Sequence, residues 1–171
     1  MLKDQKDDLS NEEKQKSPFT YEDWVNWQIT WRDQRLHGKV VLKKGEAFWE
    51  QSRQALHGYY TNPGNWDALA VPGWFVFIHE LRTRSGKHKH QGGICLFVLK
   101  GKGHTVVDGV RYDWEKGDCI VLPLKPGGVE HQHFNDDPDG SSEWMCLDYV
   151  PFHQMTGFET EQKELHPDWK G

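Results

Sequence analysis

The chain has 171 residues, a formal net charge of -5, a sequence pI near 6.0 and a mean hydropathy of -0.84. This length supports one domain with a substantial core and not two ordinary ones. The acidic balance excludes a general nucleic-acid-binding surface, and no apolar run approaches the ~20 residues of a membrane helix.

Residues 1–18 are polar and charged and carry no apolar h-region, so they read as a solvated, disordered tail and not as a secretory leader, with the cytoplasm as the compartment. Thr20-Tyr21-Glu22-Asp23 has the form of a capping box. Trp24, Trp27 and Trp31 come next at helical spacing, which predicts a helix to about Leu36. A break at His37-Gly38 precedes a short strand over Val40–Leu42. A second helix is expected from about Glu46 to His57, with Phe48, Trp49, Ala55 and Leu56 near one face. Thr61-Asn62-Pro63-Gly64-Asn65 is a turn cluster. Residues 19–65 are thus expected to form a helical N-terminal extension.

From Trp74 the period changes. Trp74–Arg84 is rich in apolar and β-favouring residues without helical spacing, and Ile94–Leu99 is a continuous apolar run, as in a strand buried on both faces. Val106 to Tyr112 contains Asp108-Gly109, a two-residue hairpin turn. Lys116-Gly117-Asp118 is another turn, leading into a strand over Cys119–Leu122. Glu130–Phe134 and Trp144–Val150 read as two further strands, joined by a polar Pro/Gly-containing loop. Short strands at this spacing predict a mainly β domain, a sandwich or barrel, over residues 70–152. Residues 153–171 are weakly patterned and read as a C-terminal tail. Cys95, Cys119 and Cys146 are odd in number and widely spaced, which is no disulfide framework; each lies in an apolar run and is expected in the core. Most of the nine Trp, eight Phe and five Tyr are expected to pack the core, with Trp74, Phe97, Trp114 and Trp144 as candidates for a pocket wall.

Four of the ten histidines fall in two H-x-H pairs, His88 with His90 and His131 with His133. On a strand, residues i and i+2 share a face, so two imidazoles can chelate one ion on the inner face of a barrel. The second pair supplies candidates for a third ligand. Imidazole suits Fe, Zn, Ni and Cu, so the donor type does not choose the metal. Arg82 and Arg84 are in phase with His88 and His90 if the strand is continuous, and either could hold a substrate carboxylate. Gln91 and Glu130 adjoin candidate ligands, but strand alternation points them away from the ion. Asn135 is expected to fix the loop after its strand.

Gly86-Lys87-His88-Lys89-His90, with Gly101 beyond it, resembles the first motif of the cupin family. Gly117 to Pro123, with Gly128, His131 and Asn135, resembles the second. The resemblance covers residues 74–150. It implies a cupin fold, a double-stranded β-helix or jelly-roll barrel, here with N-terminal helices. It also implies a metal held by His88, His90 and His131. Cupins usually carry a glutamate four residues after the second histidine; in this sequence that position is Ile94. The departure favours the three-histidine branch, and His131-Gln132-His133-Phe134-Asn135 is similar to the His-Asp-His-Gly-Asn run of gentisate-type dioxygenases. The likeness implies a divalent metal, Fe(II) before Mn, Ni or Zn, and a dioxygenase that cleaves a C–C bond in a hydroxybenzoate-like or dicarbonyl acid. A homodimer acting on a small organic acid and O2 is implied as well. His133 is then a candidate catalytic acid/base, and Arg82, Arg84, Gln91 and Trp114 are candidate substrate contacts. The alternatives are a non-catalytic small-molecule-binding cupin and a Zn- or Mn-dependent lyase or isomerase.

Overall fold

A computed structural model describes residues 19–171, so the tail expected at 1–18 lies outside the described residues. The capping box forms as the sequence predicts: Asp23 N donates to Thr20 Oγ1, and Thr20 N donates to the Asp23 carboxylate. It opens helix α1, Tyr21–His37. The indoles of Trp24, Trp27 and Trp31 line up along this helix with centroids 5.1 Å apart at each step, the first pair stacked and the second tilted, yet the helix buries none of its residues. Its contact with the body runs through Gln34, whose Nε2 donates to the carbonyls of Trp66 and Leu69.

The second expected helix does not form. Its residues make an antiparallel hairpin of β1 (Phe48–Gln51) and β2 (Leu56–Thr61), with Glu50 opposite His57. Ser52 closes the turn, its hydroxyl accepting from the amides of Gln54 and Ala55. A hydroxyl that captures two nearby amides competes directly with the helical pattern. Val40–Leu42 is not a strand either; the backbone there makes one isolated bridge, from Lys39 to Leu69.

The remaining elements are β3 (Trp74–Leu81), β4 (Lys87–His90), β5 (Cys95–Lys100), β6 (Lys102–Val107), β7 (Val110–Glu115), β8 (Cys119–Val121), β9 (Val129–Asn135), β10 (Ser142–Tyr149), α2 (Val150–Met155) and β11 (Glu161–Glu164). They build two antiparallel sheets, β1-β2-β3-β10-β5-β8 and β11-β4-β9-β6-β7. The mainly β, jelly-roll expectation is therefore met, with one helix at the N-terminal side. The Asp108-Gly109 turn has positive φ at both residues, as a two-residue hairpin between right-twisted strands requires. The C-terminal segment is more ordered than its sequence suggests, since β11 pairs with β4.

The core joins Ala55, Leu81, Ile94, Leu96, Val98, Trp114, Trp144 and Cys146. Strand β5 alternates, with Leu96 and Val98 buried and Cys95 and Phe97 exposed, so the expectation of burial on both faces is corrected. Cys95 and Cys119 are exposed, and Cys146 alone of the three cysteines is buried. Among the described residues no helix is long and apolar enough to cross a membrane.

Candidate metal centre

His88 and His90 lie on β4, and the period of two turns both rings to the buried face. Strand β9 pairs with β4 so that His131 stands directly opposite His88. The ring centroids are 4.8 Å apart for His88–His90, 4.2 Å for His88–His131 and 4.7 Å for His90–His131. One ligating atom from each lies within 4.8 Å of the others, in a group of three histidines without a carboxylate. Backbone packing around β4 is close: a Cβ at Gly92 would stand 2.0 Å from the Pro123 carbonyl oxygen, and one at Gly128 2.9 Å from the His90 oxygen. Both loops can close beside the histidines because these positions have no side chain.

The hydrogen bonds set the tautomers. His90 Nδ1–H donates to the Gln91 carbonyl at 2.5 Å, and His131 Nδ1–H donates to the Val129 carbonyl at 3.1 Å. Each ring therefore keeps its Nε2 lone pair free. His88 Nδ1 is buried with no hydrogen-bond partner. Burial disfavours the imidazolium: it lowers the pKa of His90 to about 4 and of His131 to about 3, and it lowers His88 further with help from neighbouring His131. Neutral imidazole is the ligating form. Three buried neutral rings, two with a free Nε2 and one with an orphaned nitrogen, fit a divalent ion.

His88, His90 and Ile94 line a cavity of about 470 Å³ with Phe77, His57 and His79. Ile94 is buried at the place where the usual glutamate would stand. An acid does reach this cavity from another strand. Asp148 on β10 has its Oδ1 2.8 Å from His153 Nδ1, and burial pushes its carboxyl up to about 6. His153 stacks on Phe158 at 4.4 Å, and Phe158 lies 4.7 Å from His90.

His133 is buried 5.5 Å from His131, centroid to centroid, and packs against Trp144. Its Nδ1 is 2.7 Å from Thr105 Oγ1, which also accepts from Trp114 Nε1 at 3.0 Å. The Thr105 hydroxyl proton has no other acceptor among the described residues, so it donates to His133 Nδ1, and the ring proton sits on Nε2. Trp114 is thus a core side chain holding Thr105, not part of the cavity wall beside the three histidines. Gln91 is also turned elsewhere, its Nε2 donating to the Lys125 carbonyl. Arg82 is exposed beside Glu80, and Arg84 pairs with Glu164. Strand β3 ends at Leu81 and β4 begins at Lys87, so the phase that would align these arginines with His88 is broken. Asn135 fixes its loop as expected, donating to the carbonyls of Arg82, Asp137 and Gly140.

Sequence reasoning missed His57, Tyr59, His79, Asp148 and His153. His57 ends the stretch expected to be helical and Tyr59 follows it on the same strand, where the alternation of His57, Tyr59 and Thr61 is the available signal. A second cluster, His104 with Asp113 and Asp136, lies apart and is bridged by the Arg111 guanidinium, 2.7 Å from Asp113 and 3.0 Å from Asp136.

Comparison with known proteins bears on this geometry. The family profile described as Cupin domain matches residues 75–148. The chain is similar to a 5-aminosalicylate 1,2-dioxygenase from Comamonas sp, 34% identical over 110 residues that cover 63% of this chain and 28% of the relative. The chain thus spans less than a third of that protein. Among solved structures it is similar to a gentisate-bound variant of salicylate 1,2-dioxygenase from Pseudoaminobacter salicylatoxidans, 25% identical with a TM-score of 0.50, covering 86% of this chain and 39% of the other. A uridine-bound variant of PAC13 from Streptomyces shares the fold at 10% identity, with a TM-score of 0.54 and coverage of 74% and 92%.

Proposed function

Residues 75–148 match the profile described as Cupin domain, and on that premise we propose that the chain is a metal-dependent dioxygenase cleaving a C–C bond in a hydroxybenzoate-like or dicarbonyl acid. The observation that carries this reading is the group of three buried, neutral histidines, two of which line a cavity with Ile94 in place of an acidic ligand. With no carboxylate among the three proposed ligands, an ion there has no direct charge compensation from its own shell, which favours an anionic substrate as the balancing ligand. The relative that acts on 5-aminosalicylate and the neighbour that holds gentisate are both 1,2-dioxygenases, in line with this choice.

We assign His88, His90 and His131 to hold the metal. Imidazole alone also suits Zn or Ni; iron is preferred because of the likeness to ring-cleaving dioxygenases. When bound, ferrous iron supplies open coordination positions and the electrons that oxygen chemistry requires. The chain's own residues do the rest. The carbonyls of Gln91 and Val129 hold the imidazoles of His90 and His131 in the ligating tautomer. Phe77 and Ile94 give the cavity apolar walls that suit a planar ring and exclude water. His133, fixed by Thr105, presents an Nε2 proton beside His131 and is assigned as the acid/base. The same reading includes a cytoplasmic homodimer, for which the outer face of the first sheet exposes Phe97, Val121, Leu147 and Tyr149.

Oxygen uptake tests the proposal. Iron-loaded protein is expected to consume oxygen with at least one member of a panel of hydroxybenzoates and diketones, monitored at an oxygen electrode. No uptake across the panel contradicts the dioxygenase reading. Zinc that survives chelation would then point to a lyase or isomerase, and ligand binding without turnover to a binding cupin.

A further inference from the structure

On the wall of the same cavity stands a hydrogen-bonded chain that the metal centre does not use. Glu50 on β1 faces His57 on β2 across the hairpin, and Tyr59 lies on the same face. Tyr59 Oη is 2.8 Å from Glu50 Oε1 and 3.1 Å from His57 Nδ1. A carboxylate only accepts, so the single phenolic proton goes to Glu50. Tyr59 Oη must then accept from His57, which places the imidazole proton on Nδ1 and leaves Nε2 as a lone pair. His57 is buried and lines the cavity, Tyr59 is half-buried, and Glu50 is exposed. The chain therefore runs from the cavity to solvent.

Two further observations tie this chain to a ligand. His79 stacks parallel on His57, with centroids 4.1 Å apart and planes 4° off parallel, which fixes the His57 ring. His79 also lines the cavity and is almost wholly buried, yet neither of its nitrogens has a hydrogen-bond partner. A buried imidazole with two unmet polar atoms at a cavity wall is costly unless something polar enters that cavity.

We propose that His57 takes the proton of a substrate hydroxyl or ring N–H in this cavity, and that Tyr59 and Glu50 pass it to solvent. The transfer balances without charging the ring. The substrate O–H proton goes to His57 Nε2, the Nδ1 proton goes to Tyr59 Oη, and the Tyr59 proton goes to the Glu50 carboxylate, which loses it to water. The imidazole ends as the other neutral tautomer. That outcome suits a ring whose burial lowers its pKa to about 3 and makes a lasting imidazolium unfavourable. The relay deepens the dioxygenase reading and rests on it for the substrate class, an aromatic acid with an ionisable donor.

The test uses 5-nitrosalicylate as probe, bound anaerobically to the metal-loaded protein near neutral pH. Its phenol is protonated in neutral solution and its phenolate is coloured, so binding and ionisation are read separately. The wild-type protein is expected to bind the probe with release of about one proton, measured by calorimetry in buffers of different protonation heat. Tyr59→Phe and Glu50→Gln are expected to bind it within about threefold but to ionise it at least about tenfold more slowly in stopped flow, the low end of a general-base effect. Wild-type ionisation rates in both variants overturn the proposal. So does wild-type protein that binds the probe without ionising it, or that does not bind it. The outcomes separate from the parent reading because no oxygen is consumed. Intact relay behaviour with no oxygen uptake on any substrate sinks the dioxygenase and leaves the relay. Oxygen uptake with unchanged ionisation in Tyr59→Phe does the reverse.

Discussion

Replacing His131 with alanine is expected to abolish stoichiometric metal binding, while His133→Ala keeps the metal and loses turnover. The contrast arises from position. His131 sits opposite His88 across the β4–β9 ladder, with its Nδ1–H held by the Val129 carbonyl and its Nε2 free. Removing it leaves two donors on one strand, which cannot enclose an ion. Loss of an outer partner of a ligand typically costs 10–100-fold in affinity, and loss of a ligand should exceed about 100-fold. His133 has its Nδ1 engaged with Thr105 and stands outside the group of three. Its removal strips Thr105 of an acceptor in the core, a cost of about 1–3 kcal/mol, so His133→Ala should melt earlier yet still bind. Metal content after dialysis, beside circular dichroism of each variant, separates loss of ligand from loss of fold. Stoichiometric metal in folded His131→Ala would overturn the assignment.

The second large effect is on acid stability. His57, His79 and His133 are buried, and burial lowers the pKa of each below 6.5, to about 3 for His57. In the unfolded chain each titrates near the usual value of about 6.5. Below that pH the unfolded state binds protons that the folded state refuses. The stability these groups provide is therefore complete above pH 6.5 and is lost as pH falls toward the folded values. Each group costs up to ~1.4 kcal/mol per pH unit in that window, or about 4 kcal/mol per unit for the three together. A domain with about 5–15 kcal/mol of stability should unfold cooperatively within about four units below that point. Denaturant melts of the metal-free protein at several pH values give the slope. His79→Phe, which removes two unpartnered buried nitrogens while retaining a ring, should reduce the slope by up to ~1.4 kcal/mol per pH unit. An unchanged slope in that variant would mean that His79 does not contribute.

The barrel and its three-histidine group were legible because their signals are local. The Asp108-Gly109 turn demands positive φ at both positions, and a strand period of two puts His88 and His90 on one face whatever surrounds them. His131 required knowing which strands are neighbours, which the resemblance to the cupin motifs provided and the β4–β9 register bears out. The hairpin of β1 and β2 was not legible. Phe48, Trp49, Ala55 and Leu56 fit a helical face as well as two short strands, and short apolar runs do not distinguish the two. The deciding contact, the Ser52 hydroxyl on the amides of Gln54 and Ala55, is a turn signal that a single serine does not announce. That misreading hid His57 and Tyr59. Arg82 and Arg84 failed for the opposite reason. A strand period was carried across Thr83–Gly86, where the backbone turns and sends Arg84 to Glu164. Asp148 was hidden because its place in the cavity depends on β10 lying between β3 and β5, a tertiary fact with no local signature.

X-ray absorption at the iron edge of anaerobic, ferrous-loaded protein tests the metal assignment most directly. One iron per chain in a shell of nitrogen and oxygen at ~2.1 Å, with the outer scattering of three imidazoles, is the expected result. A sulfur scatterer, which would place the ion at the exposed Cys95 and Cys119, or a shell without imidazole scattering, would contradict the assignment.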